Sequence, residues 1–232
     1  MTADEIHGIV QEAANPAIAT HSRRFFKTGK GEYGEGDQFL GIRVPALRAF
    51  ARQYRDTALD DVREQLQSSW HEVRLLALFL LVQRFQRGGD EDRGRVVALY
   101  LENTRYVNNW DLVDSSACHI LGPWLTGRDR QPLYRLAGSR CLWERRMAIM
   151  ATLHFIRMNQ FDDTLRLARI LLTDAEDLIH KAVGWMLREI GKRDRSVEGG
   201  FLRTHYRDMP RTMLRYAIEK FPESRRQCYL KG

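Results

Sequence analysis

The sequence predicts an all-α protein of stacked helix pairs, an α–α superhelix, and three observations lead there. Apolar residues recur at three- and four-residue spacing over nearly the whole chain after Pro45. Glycines and one proline interrupt that pattern where helices should end. Similar helix starts then return at Arg74, Asp114, Arg146 and Lys181, intervals of 40, 32 and 35 residues. With 232 residues, 44% hydrophobic and 29% charged, the chain can bury a sizeable core, and one domain over residues 1–232 is expected.

The first informative segment cannot be helix. Phe26 to Phe39 places glycines at 29, 31, 34 and 36, and such density breaks a helix. It lacks the Lys-Ser/Thr ending of a phosphate-binding loop, and no strand precedes it, so nucleotide binding is not expected. A short Gly-rich hairpin or loop over 28–37, carrying Lys27 and Lys30, is expected instead. It could approach a phosphate backbone closely or merely connect two elements.

Helices follow over 46–55, 59–67, 70–87, 91–103, 110–125, 142–156, 161–172, 178–192, 197–206 and 211–221. Gly88-Gly89, Gly127, Gly138 and Pro210 supply the breaks. Several helices begin alike: Glu72-Val73-Arg74-Leu75-Leu76-Ala77, Glu144-Arg145-Arg146-Met147-Ala148-Ile149 and Ile179-His180-Lys181-Ala182-Val183-Gly184. Leu112-Val113-Asp114-Ser115-Ser116-Ala117 fits the same frame with an acid at the basic position. A degenerate two-helix repeat of this length is the mark of a HEAT-like solenoid. It would set Arg74, Arg146 and Lys181 in a basic row along one concave surface, with Asp114 the acidic interruption. The alternative is that each is an ordinary helix-start residue making local hydrogen bonds.

Charge points to a polyanionic partner. The formal net charge is +7, and arginine supplies 31 of the 37 basic side chains. Its planar fork matches phosphate oxygens. A GC-rich genome also raises arginine, so composition alone does not decide. The three cysteines, Cys118, Cys141 and Cys228, are scattered, and no Cys/His spacing resembles a zinc site, so no metal or other cofactor is expected. Cys118-His119 and His180 read as helix residues. The longest apolar stretch, Leu75 to Val82, is too short to span a bilayer, and Met1 to Glu5 lacks the features of a signal peptide. A monomeric cytoplasmic protein without membrane contact is expected.

One run concentrates the chemistry. Asn109-Trp110-Asp111-Leu112-Val113-Asp114 sets an indole and a carboxylate one helical turn apart, so both can address one spot. In so basic a chain, a carboxylate set against nucleic acid either meets a developing positive charge or faces away. Asp111 falls in the first turn of its helix, where a carboxylate favours the helix dipole.

These residues resemble the bacterial DNA alkylation repair proteins of the AlkD type, which are HEAT-like-repeat alkylpurine DNA glycosylases. Phe39-Leu40-Gly41-Ile42-Arg43-Val44-Pro45, Trp110-Asp111-Leu112-Val113-Asp114 and Lys181-Ala182-Val183-Gly184-Trp185-Met186-Leu187-Arg188-Glu189 carry the likeness, with Trp143-Glu144-Arg145-Arg146 a weaker fourth segment. The resemblance implies that Asp114 is the catalytic carboxylate and that Trp110 and Trp185 are the indoles flanking the lesion. It implies that Arg146 contacts phosphate. Lys181, Arg74, Arg188, Lys27 and Lys30 are the further DNA-binding candidates. The implied activity is a monofunctional glycosylase removing cationic N3- or N7-alkylated purines from double-stranded DNA. The Gly-rich segment also resembles that of hairpin-bearing relatives, and Arg24-Phe25-Phe26-Lys27 lacks the tyrosine that catalytic members tend to present there. The alternative is therefore a non-catalytic binder of branched or distorted DNA.

Overall fold

The computed structural model describes residues 2–231. Those residues form an all-helical protein that divides into two compact units, Met1–Ser116 and Ala117–Gly232.

In the first unit, α1 (Ala3–Glu12) and α2 (Pro16–Phe25) precede the Gly-rich segment. They are followed by α3 (Val44–Gln53), α4 (Leu59–Leu66), α5 (His71–Arg87), α6 (Asp90–Glu102) and the short α7 (Trp110–Asp114). The centre is α5, against which α3, α4, α6 and α7 pack. Every residue from His71 to Leu81 is buried, and from Leu75 to Leu81 the helix is apolar on all sides. Full burial of a side chain such as Leu76, Leu78 or Leu81 stabilises the fold by about 1.5–3 kcal/mol.

In the second unit run α8 (Ala117–Trp124), α9 (Gln131–Ala137), α10 (Leu142–Ala151), α11 (Leu153–Arg157) and α12 (Asp162–Ile170). Then come α13 (Asp177–Arg193), α14 (Arg195–His205), α15 (Arg211–Ala217) and α16 (Glu223–Lys231). Here α13 is central, packed by α10, α12, α14 and α15. Gly184 lets α15 come close, because a Cβ there would lie 2.4 Å from the Met213 carbonyl oxygen.

Two expectations change. The first two helices were not foreseen, although Thr2 caps α1 in a capping box with Glu5, and Asn15 caps α2 ahead of Pro16. The helix expected over 110–125 is interrupted at Ser115-Ser116, where the Ser116 hydroxyl donates to the Leu112 carbonyl at 2.6 Å. Of the hairpin or loop expected over residues 28–37, the structure has the loop, a chain of tight turns from Gly29 to Glu32, Glu32 to Glu35 and Gly34 to Asp37. Among the described residues, the bridge between Gln38 and Trp70 is isolated and belongs to no strand. No described helix is long and apolar enough to cross a membrane.

Candidate functional site

The Trp-Asp-x-x-Asp run forms α7, and neighbours hold this five-residue helix at every level. Asn109, fully buried, accepts a hydrogen bond from the Trp110 amide at 2.8 Å and so caps the helix. Leu112 and Val113 point into the core with no exposure. At its end, buried Ser116 hydrogen-bonds the Tyr100 hydroxyl at 2.9 Å. Trp110 and Asp114 remain partly exposed, one turn apart as the sequence implied.

Asp111 does more than favour the helix dipole. Its Oδ2 accepts a 2.8 Å hydrogen bond from His71 Nε2, while His71 Nδ1 donates to Asp37 Oδ2, also at 2.8 Å. The His71 side chain is 2% exposed and that of Asp37 3%. Two carboxylates can both accept from one imidazole only when both ring nitrogens carry hydrogen, so His71 is an imidazolium. Burial opposes that charge, but Asp111 and Asp37 outweigh it and raise the His71 pKa from 6.5 to about 9. Burial likewise works against the Asp37 carboxylate, yet the bonds from His71 and the charge of Arg74 hold its pKa below the ordinary value. Aromatic rings enclose the imidazolium. Phe39 stacks on it at 4.5 Å, Phe26 lies 4.9 Å away, and Phe26 stacks on Trp110 at 5.4 Å.

The structure corrects several of the expected DNA contacts. Arg74 is buried, ion-paired with Asp37 and bonded to the Ser68 carbonyl, so its guanidinium is committed inside the fold. Arg146 is also buried, with Nη1 donating to the Leu178 carbonyl at 2.5 Å, so it braces the start of α13 and does not project toward a phosphate. Arg188 pairs with Glu219. The exposed basic row expected of Arg74, Arg146 and Lys181 is therefore not formed. Lys181 is the partly exposed member, paired with Asp177 at 2.8 Å.

Lys27 and Lys30 are exposed. Beside them, Glu32 and Glu35 are turned back to accept from the amides of Gly29 and Gly31, both at 2.8 Å. In the second unit Trp185 is partly exposed on α13, and its indole N–H donates to Glu189 at 2.9 Å. Among the described residues, no group of three or more His, Cys, Asp or Glu side chains is placed to hold a metal ion.

His71, Asp37 and Phe39 are the site residues that sequence reasoning missed. Their partners lie 34 and 40 residues apart in the chain, and no local pattern announces such a contact. A weak signal was present in α5, whose otherwise apolar face begins with a histidine and a glutamate. Glu72 has a separate task, accepting from the amides of Leu40, Gly41 and Ile42 at 2.9, 2.7 and 3.3 Å.

The sequence profile of the DNA alkylation repair enzyme family matches residues 9–221. A solved structure described as a predicted DNA alkylation repair enzyme from Enterococcus faecalis has the same fold, with a TM-score of 0.69 at 19% sequence identity. The match covers 90% of this chain and 97% of that one. No curated protein is significantly similar in sequence. The chain belongs to the DNA alkylation repair enzyme family, with DNA as its substrate and repair of alkylated DNA as its role.

Proposed function

We propose that the protein is a monofunctional glycosylase that hydrolyses the N-glycosidic bond of cationic N3- or N7-alkylated purines in duplex DNA. The observation that carries this reading is α7 itself. It presents a partly exposed indole and carboxylate one turn apart on a helix braced by Asn109, His71 and Tyr100. Of the two partly exposed carboxylates in the run, Asp111 is hydrogen-bonded to His71, and Asp114 stands one turn further on, on the exposed side of the same short helix as Trp110.

Breaking the bond between C1′ and the base nitrogen builds positive charge on the deoxyribose. In a cationic alkylpurine the departing electron pair neutralises the base, so the leaving group needs no protonation. Ionised Asp114 stabilises the sugar cation electrostatically. It also accepts a hydrogen from water and directs the water oxygen to C1′; the proton this water loses passes to Asp114 and then to solvent. The Trp110 face adds cation–π attraction to the same charge. By the resemblance, Trp185 supplies the second indole, and the exposed Lys27 and Lys30 are the phosphate grips in the first unit.

The test is release of free base from duplex DNA containing 7-methylguanine, with wild type beside Asp114→Asn. Wild type releases base, and the variant loses that rate by about 100-fold or more while still binding DNA. If neither protein releases base and both bind, the glycosylase reading fails. Branched DNA then becomes the substrate to test, with deletion of residues 28–37 expected to weaken that binding.

A further inference from the structure

Between the Gly-rich segment and α7 lies a four-membered charge cluster, Asp37, His71 and Arg74 with buried side chains and Asp111 of α7 with its side chain 14% exposed. Two cations face two carboxylates, so the charges balance, and each pair is hydrogen-bonded. Buried charge is tolerated only on those terms. The arrangement has one crossing point, since only His71 touches both Asp37 and Asp111. Trp110 and Asp114, the partly exposed groups at the two ends of α7, both depend on it. Asp114 follows Asp111 by one turn on a helix too short to be stable alone. The Trp110 ring rests on Phe26, whose ring lies against the same imidazolium.

We propose that His71 is a positioning residue: held between Asp37 and Asp111, it fixes the orientation of α7 and thereby of Asp114 and Trp110. The consequence for catalysis rests on the glycosylase reading; the consequence for α7 does not. The charge matters as well as the shape. A neutral imidazole can donate only one hydrogen, so it would turn a lone pair toward one of its two carboxylates. Arg74, the other cation of the cluster, is paired with Asp37 and so does not compensate Asp111. Asp111, only 14% exposed, would then stand uncompensated on α7, and a charge so largely buried without a partner turns out to solvent or is protonated.

The experiment compares full-length wild type, His71→Gln, and the double variant His71→Gln/Asp111→Asn. Amide hydrogen exchange over residues 109–114 is read alongside single-turnover release of 7-methylguanine from duplex DNA and duplex affinity. In His71→Gln, exchange in 109–114 accelerates and base release slows by about 10–100-fold, the scale expected of a misplaced catalytic group, with affinity little changed. The double variant has no stranded carboxylate and recovers much of both losses, which simple loss of packing would not allow. Unchanged exchange in His71→Gln, or a double variant as impaired as the single one, overturns the proposal.

Wild type itself gives a second measurement that does not depend on any variant folding. Nitrogen-15 NMR of labelled histidine at neutral pH should show both His71 ring nitrogens protonated, and a single N–H tautomer overturns the proposal. If wild type releases no base at all, the glycosylase reading fails alone, and exchange and NMR still decide the role of His71.

Discussion

Residues 68–74 and 139–145 enter their helices in the same way. Ser68 accepts the Trp70 amide at 3.1 Å, and Ser139 accepts the Cys141 amide at 3.0 Å. Six residues on, Arg74 and Arg145 reach back to those serines' carbonyls, at 2.8 and 3.1 Å. Each arginine also pairs with an aspartate, Arg74 with Asp37 and Arg145 with Asp174. The difference lies three residues before the arginine, where the first frame has His71 and the second Leu142. In the second frame the ion pair staples a helix start, and Asp174 spends its remaining capacity on the Glu176 amide. In the first, the added imidazolium carries the staple onward to Asp111 and α7. A structural device becomes the support of a site by gaining one cation and one more carboxylate.

The sharpest way to break this comparison is to remove both aspartates in turn. Asp37→Ala strips a partner from two buried cations and is expected to cost about 3–5 kcal/mol. Asp174→Ala leaves Arg145 bonded to the carbonyls of Ser139 and Arg140, with 15% of its side chain exposed. Its expected cost is about 1–3 kcal/mol. Urea unfolding of the two variants measures both. Equal losses would mean that His71 adds nothing to the first frame beyond the staple.

This comparison also shows where sequence reading reaches and where it stops. The helices beyond Pro45 were legible because each buries a periodic apolar face. The paired helix starts were visible too, but basic residues alone set them in the wrong register, with Arg74 matched to Arg146. Geometry matches Arg74 to Arg145, and the serine six residues earlier is the mark that would have shown it. Trp110 and Asp114 were legible as a pair because helical spacing is local. The break after α7 was not, since the Ser116 hydroxyl there meets both the Leu112 carbonyl and Tyr100 from another helix. His71 was invisible for the same reason: its meaning comes from two carboxylates distant in sequence. Arg74 and Arg146 were misread because charge alone says nothing about whether a guanidinium is spent inside the fold.

A smaller effect separates the frames by pH. The folded-state pKa of His71, about 9, lies above the unfolded value near 6.5. Its stabilisation is therefore fully present below about 6.5 and is lost as pH rises through about 9. Between those values wild type should lose thermal stability with rising pH, while His71→Gln lacks that component of the slope. The second frame, with leucine in the equivalent place, contributes no such titration. Melting temperatures of the two proteins from pH 6.5 to 9.5 give the difference directly, and parallel curves would remove the charge from the first frame's role.

Glu198 supplies the smallest and most discriminating case, a buried carboxylate that lacks what Asp37 has. It is 1% exposed on α14, and its Oε1 meets no hydrogen-bond donor in the protein. Gly191 makes room for it, since a Cβ there would fall 1.7 Å from Oε2. Burial raises its pKa from 4.5 to about 7, against the opposing charges of Arg195, Arg188 and Arg225. Asp37 is as deeply buried and moves the other way, so direct hydrogen bonds decide the sign where nearby charge does not. Because the Glu198 pKa is raised on folding, the stability of its protonated form is complete below about 4.5 and lost as pH rises through about 7. Above that point the ionised group weighs against the fold. Glu198→Gln removes this cost, so the variant should gain about 1 kcal/mol at pH 8 and nothing near pH 4.5, measured by urea unfolding at both. A loss at pH 8 would place Glu198 with Asp37, as a carboxylate whose arginines hold it ionised and whose charge the fold uses.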